Sequence, residues 1–147
     1  MRGPGANAKT QYAVQAVIHL ARQSQSQVVS VSGMAVAMEV SPKFLEDILG
    51  ALRTAGIVQS RRGKEGGYSL AFSPSELTVL DVVRAIEGPD SSGARKAAGS
   101  LAQVTVRVFE SALDAAAAVL TERTIEQLAE EAGRLEAERT TPYMYHL

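Results

Sequence analysis

Residues 41–70 constrain this chain more than any other part of it. They prescribe a short amphipathic helix, an abrupt stop, and two brief strands separated by a glycine-rich loop. Ser41-Pro42-Lys43-Phe44-Leu45-Glu46 opens the helix with an N-cap serine and a proline at the first helical position, where its missing N–H costs nothing. Phe44, Leu45, Ile48, Leu49 and Leu52 fall on one stripe at 3.6-residue spacing, leaving Lys43, Glu46, Asp47 and Arg53 off it. Ala55-Gly56 ends the helix, glycine being suited to a left-handed C′ position. Residues 57–60 (Ile-Val-Gln-Ser) and 68–70 (Tyr-Ser-Leu) then read as strands. Between them Arg61-Arg62-Gly63-Lys64-Glu65-Gly66-Gly67 is too long for a two-residue hairpin turn and rich in residues that tolerate positive φ.

Just upstream, Val31, Met34, Ala35 and Met38 form the apolar side of a second short helix, with Ser30 as its cap. Small Ala35 lets the two helices cross closely. The connecting residues Glu39-Val40 lack the glycine often found in a helix-turn-helix, so this assignment rests on helix lengths and spacing more than on turn chemistry. Helix, turn, helix and hairpin follow in the order that a winged helix-turn-helix needs to read duplex DNA. The hairpin is the wing.

Charge placement agrees with that reading. Residues 1–70 hold eight Lys/Arg against four Asp/Glu, a net +4, whereas residues 71–147 hold seven against twelve, a net −5. Duplex binding needs positive charge at the contact face and not a basic chain overall. With 46% hydrophobic residues in 147, the chain can build one globular domain with an assembly element. No apolar run reaches membrane-span length, and the first residues lead into no signal-peptide core, so a cytoplasmic protein is expected. The absence of cysteine removes disulfides, thiolate switches and Cys-ligated metal centres, and no cofactor or metal is expected.

Four segments follow in order. Residues 1–8 show no periodicity and read as a disordered N-terminus. Residues 9–88 form the winged helix-turn-helix domain. Its first helix, about Lys9 to Arg22, packs Tyr12, Ala13, Ala16, Val17 and Leu20 behind the other two, with His19 beside the stripe and without companions at ligand spacing. A helix-start signal at Thr78-Val79-Leu80-Asp81 begins a fourth helix ending at Glu87-Gly88. Residues 89–121 comprise a polar breaker and a long helix from about Ala97 to Leu120, roughly 36 Å at ~1.5 Å per residue. Residues 122–147 hold a last helix and a tail. Thr124 and Gln127 make a capping box there, with Ile125, Leu128, Ala129, Ala132 and Leu135 inward and Glu130, Glu131, Glu136 and Glu138 as a solvated face. The fold class is mainly α with a small β-hairpin wing.

The long helix carries two apolar stripes: Leu101, Val104, Val108, Ala112, Ala115 and Val119, and, about 140° around it, Val106, Phe109, Leu113, Ala116 and Leu120. A chain this small can cover one stripe itself. The other is expected to meet the same helix of a second copy across a two-fold axis, and the first stripe is assigned to dimerisation.

An enzyme is disfavoured: there is no Gly-x-Ser-x-Gly elbow, no phosphate loop at a strand-to-helix turn, and only two histidines. The alternative function class is a protein-interaction module acting through a partner enzyme.

Several motifs together resemble the Rrf2 family of bacterial winged-helix regulators. They are Lys9-Thr10-Gln11-Tyr12-Ala13, Phe44-Leu45-Glu46, residues 52–58, residues 62–68 with their Gly-Gly-Tyr, and residues 81–88. The resemblance implies a homodimer bound to an inverted-repeat operator in double-stranded DNA, most simply as a repressor. Many members hold an iron-sulfur cluster through three cysteines in the loop before the dimer helix. Here that loop, Pro89 to Gly99, has none, which places the chain beside the cluster-free members that govern cysteine and sulfur metabolism.

On this resemblance Lys43 and Glu46 face base edges, while Ser41 caps more than it reads. Arg62 and Arg61 enter the minor groove or grip its phosphates, with Gly66 and Gly67 allowing close backbone approach and Tyr68 closing the motif. Lys9, Tyr12 and Lys64 are backbone-contact candidates, and Glu65 points outward or pairs with Lys64. The tail Tyr143-Met144-Tyr145-His146-Leu147 either folds back on its own dimer or docks, by its likeness to cluster-free relatives, in the cleft of cysteine synthase.

Overall fold

The structure is a computed structural model that describes residues 7–24, 26–88 and 99–140. In chain order these form α1 (Ala8–Ala21), α2 (Val31–Met38), α3 (Pro42–Thr54), β1 (Val58–Arg61), β2 (Gly67–Leu70), α4 (Val79–Glu87), α5 (Ser100–Glu122) and α6 (Ile125–Thr140).

The expected caps act as such. Ser30 Oγ accepts from the Gly33 N–H at 3.1 Å and Ser41 Oγ from the Phe44 N–H at 3.2 Å. Thr78 and Asp81 satisfy each other's backbone N–H groups, as do Thr124 and Gln127. Gly56, at φ 79°, lets the chain turn out of α3, and the Ile57 N–H returns to the Leu52 carbonyl at 3.0 Å.

The core is shared by the helices behind the hairpin. Ala13, Ala16, Val17, Met34, Leu45, Ile48, Leu49, Leu52, Val82 and Ile125 are fully enclosed, with Leu20, Ala35, Ile57, Val58, Leu77 and Val83 nearly so. Each of α1 to α4 therefore turns one apolar stripe inward, which leaves the opposite side of α3 open.

Several boundaries differ from expectation. Helix α1 starts at Ala8 because Asn7 Oδ1 caps the Lys9 N–H at 2.7 Å, so the expected disorder through residue 8 does not extend to these two residues; residues 1–6 lie outside the described ones. Strand β1 runs one residue further than expected, making Arg61 a strand residue opposite Gly67. Helix α5 begins at Ser100 and runs to Glu122, while residues 89–98 lie outside the described ones.

Helix α6 is sewn to the domain at its start. Ile125 donates to the Leu77 carbonyl at 2.8 Å, Val79 donates to the Arg123 carbonyl at 2.9 Å, and the Ile125 side chain is fully buried. Leu135, expected inward, is 56% exposed, because α6 has by then run past the core. Two of the glutamates expected only to meet solvent are ion-paired: Glu136 takes both terminal nitrogens of Arg22 at 2.7 and 2.6 Å, and Glu131 takes Arg123 at 2.5 Å.

The expectation that the chain covers one stripe of α5 also needs correction. No residue of α5 is buried, and among the residues of this helix Leu120 alone packs against the core group. The stripe assigned to dimerisation is fully open, with Leu101 85%, Val108 63% and Val119 62% exposed and Val104, Ala112 and Ala115 exposed beside them. In the other stripe Val106, Leu113 and Ala116 are half-exposed and Phe109 is exposed. The helix meets its own domain mainly at its last turn, so the first stripe stays open and the second is only partly covered within one chain.

Candidate nucleic-acid interface

Helix α3 is placed by its inner side. Leu45, Ile48, Leu49 and Leu52 are fully buried, so Lys43, Glu46, Asp47 and Arg53 must point outward, and all four are exposed. The preceding turn is made by Glu39, whose left-handed backbone (φ 55°, ψ 42°) supplies the conformation that glycine more often provides. Val40 then donates to the Ala35 carbonyl at 3.1 Å, which closes α2 and directs the chain into Ser41.

The hairpin projects beside this face. Its strands pair Val58 with Leu70 through Arg61 with Gly67, and Gly63 (φ 113°) begins a turn closed by the Gly66 N–H, which donates to the Gly63 carbonyl at 3.0 Å. Arg61, Arg62, Lys64 and Glu65 are all exposed. Among the described residues none of Lys43, Arg61, Arg62 or Lys64 engages an ion pair, and the alternative of a Lys64–Glu65 pair is not formed. Arg61 and Lys64 share a polar groove with Gln23, Gln27 and Ser30.

Sequence reasoning missed what anchors the wing. Val29 and Tyr68 exchange two backbone hydrogen bonds, both at 2.9 Å, which adds a one-residue bridge to the hairpin and ties β2 to the start of α2. This bridge explains Gly67: a Cβ there would lie 2.2 Å from the Val29 carbonyl oxygen. At Gly66 a Cβ would lie 2.4 Å from the Arg61 carbonyl oxygen. Both glycines are thus demanded by contacts within the chain, whatever else approaches them. Tyr68 is half-buried and packs on the core.

The α1 candidates separate. Lys9 is exposed near the start of α1. Tyr12 is half-buried, with its ring edge-on to Phe44 of α3 at a centroid distance of 5.5 Å and an angle of 89°. The tail residues Tyr143 to Leu147 lie outside the described residues.

Such a surface can meet a polyanion: a helix with an open polar side, flanked by a hairpin whose cations lack ion-pair partners among the described residues. No helix among the described residues is long and apolar enough to cross a membrane.

Comparison with known proteins identifies the arrangement. The Rrf2 family model, described as an iron-dependent transcriptional regulator, matches residues 6–131. CymR of Bacillus subtilis, an HTH-type transcriptional regulator, is 36% identical over 83 residues, 56% of this chain and 60% of CymR. Rv1287 of Mycobacterium tuberculosis is 45% identical over 86 residues, 58% of this chain and 53% of that protein. The chain thus spans a little over half the length of the curated relatives it matches. Solved structures extend the likeness: T. potens IscR has a TM-score of 0.73 at 34% identity, covering 95% of each chain. The structure of B. subtilis CymR, described as the global cysteine regulator of that organism, has a TM-score of 0.70 at 31% identity over 85% of this chain and 95% of that one.

Iron in the family's description meets a chain without cysteine, and among the described residues no three of His, Cys, Asp and Glu converge to hold a metal ion. The donor set for a thiolate-held iron centre is therefore missing. The mainly helical fold, the two-stranded wing and the match over residues 6–131 together establish that the chain belongs to the Rrf2 family of winged-helix transcriptional regulators.

Proposed function

We propose that this chain is a homodimeric, sequence-specific regulator that binds an inverted repeat in duplex DNA and represses transcription there. The observation that carries the proposal is the outward polar side of α3 beside a cationic wing whose Arg61, Arg62 and Lys64 have no ion-pair partner. In this reading α3 enters the major groove. Lys43 suits guanine acceptors and Glu46 suits the cytosine amino group. Arg62, with Arg61, enters the minor groove or holds its phosphates, and Lys9 and Lys64 hold phosphates nearby.

The dimer is supported by the open stripe from Leu101 to Val119, an apolar surface that a second copy of α5 fits across a two-fold axis. Control of cysteine or sulfur metabolism is supported by the likeness to CymR together with the absence of cluster-binding cysteines. Cysteine synthase as a partner is the finest part of the proposal. Co-purification of that enzyme with the full chain, and its loss on deleting residues 143–147, tests it.

Selection of binding sites from random duplexes tests the main reading. An inverted repeat should be enriched. Glu46→Ala should relax preference at one base pair of each half-site, and Arg62→Ala should flatten the salt dependence of affinity by about one phosphate contact. Enrichment of no sequence, with an affinity for duplex that does not vary with salt, would overturn it.

A further inference from the structure

We infer that Tyr12 is a positioning residue for the reading helix, acting through its ring on Phe44 and not through its hydroxyl on DNA. The inference rests on α3 being the helix that reads. Phe44 is the third residue of α3, and its N–H is the one that Ser41 Oγ caps. It therefore belongs to the same turn as Lys43 and precedes Glu46 by two residues. The buried leucines and isoleucine of α3 fix how far the helix stands from the core, but at this first turn Leu45 is the one fully enclosed side chain. Rotation of that turn about the helix axis is limited from the flank, where the two rings meet edge to face with their centroids 5.5 Å apart.

The magnitude of such a rotation matters. A side chain reaching about 6 Å from the helix axis moves roughly 1 Å for a 10° turn. That is enough to take a base contact out of the narrow hydrogen-bond range of about 2.7–3.2 Å.

Tyr12 is presented from a stiff base. Two residues before it Thr10 is fully buried, and its hydroxyl donates to Glu87 Oε1 at 2.9 Å, joining the first turn of α1 to the last turn of α4. The Tyr12 hydroxyl, by contrast, has no hydrogen-bond partner among the described residues, and it is not a buried atom in need of one. The ring holds Phe44. The oxygen is dispensable to that task.

The test compares Tyr12→Phe, Tyr12→Leu, Phe44→Leu and the double Leu variant in the full chain. Each is measured for affinity to the selected duplex, affinity to a scrambled duplex, the salt dependence of both, and thermal unfolding. Tyr12→Phe should stay within about 2-fold of the original on the selected duplex. Tyr12→Leu should lose roughly 5–10-fold there, with scrambled-duplex affinity and salt slope unchanged, at a temperature where unfolding shows every variant folded. The double variant should lose less than the product of the single losses.

Two results overturn the inference while leaving the regulator intact. One is a Tyr12→Phe loss as large as that of Tyr12→Leu with a shallower salt slope, which makes the hydroxyl a phosphate contact. The other is an equal loss on both duplexes in Tyr12→Leu. An unmodified chain that prefers neither duplex overturns the regulator reading, and this inference with it.

Discussion

Gly67 shows how a single hydrogen atom decides the shape of the wing. A methyl group in its place would sit 2.2 Å from the Val29 carbonyl oxygen and 3.0 Å from the Ser30 nitrogen, both backbone atoms that cannot swing aside. Gly67→Ala is therefore expected to push β2 off Val29 and to destabilise the domain by about 1–3 kcal/mol, the usual scale for overpacking. Denaturant unfolding measures the loss, and exchange of the Val29 and Tyr68 amides should rise with it. Full protection of those two amides in the variant would contradict the account. Glu39 presents the opposite case. Its left-handed backbone (φ 55°) is tolerated without glycine, which is why the missing turn glycine in the sequence was a weak warning and not an exclusion.

At the scale of elements, what the sequence made legible was local. Ser30, Ser41, Thr78 and Thr124 each announce a helix start through bonds spanning three residues, and the stripe of α3 sorts its buried from its exposed side chains without reference to the rest of the chain. What stayed hidden joins residues far apart. Val29 meets Tyr68, Tyr12 meets Phe44, and Arg22 meets Glu136 across 114 positions, and no periodicity within one segment encodes such meetings.

The last of these contacts couples α6 to α1 and carries a pH dependence. The hydrogen bond from Arg22, with the nearby positive charge, holds the Glu136 carboxyl below its ordinary value of 4.5. Burial, and then the Arg22 charge, lower His19 from 6.5 against an opposing pull from Glu136. Both folded-state values are depressed, so both contributions are complete above the unfolded values and fade as pH falls. Stability should begin to drop below about pH 6.5 as unfolded chains take up the histidine proton first, and drop again below about 4.5. Melting temperatures followed from pH 7.5 to 4 check this. Glu136→Gln should remove the lower step, and its persistence would assign that step to other carboxylates.

At the scale of the whole molecule, one long helix is left largely uncovered by its own domain. Val108 lies near the middle of the open stripe and is 63% exposed in the single chain. Val108→Asp would place a charge at the centre of the proposed apolar contact between two copies. The variant should sediment as a monomer with its helical content largely kept, and its affinity for the full inverted repeat should fall on the order of 100-fold, because the two half-sites, about 34 Å apart, would no longer be held by linked readers. A variant that sediments as the original does would remove α5 from the interface. If two copies pair through α5 as proposed, the uncovered helix also makes abundance an input to regulation. Where chains are scarce enough to be mostly single, the concentration of paired readers rises with the square of the number of chains. On that reading operator occupancy climbs more steeply than protein level, so a modest change in expression is read as a sharper change in regulation.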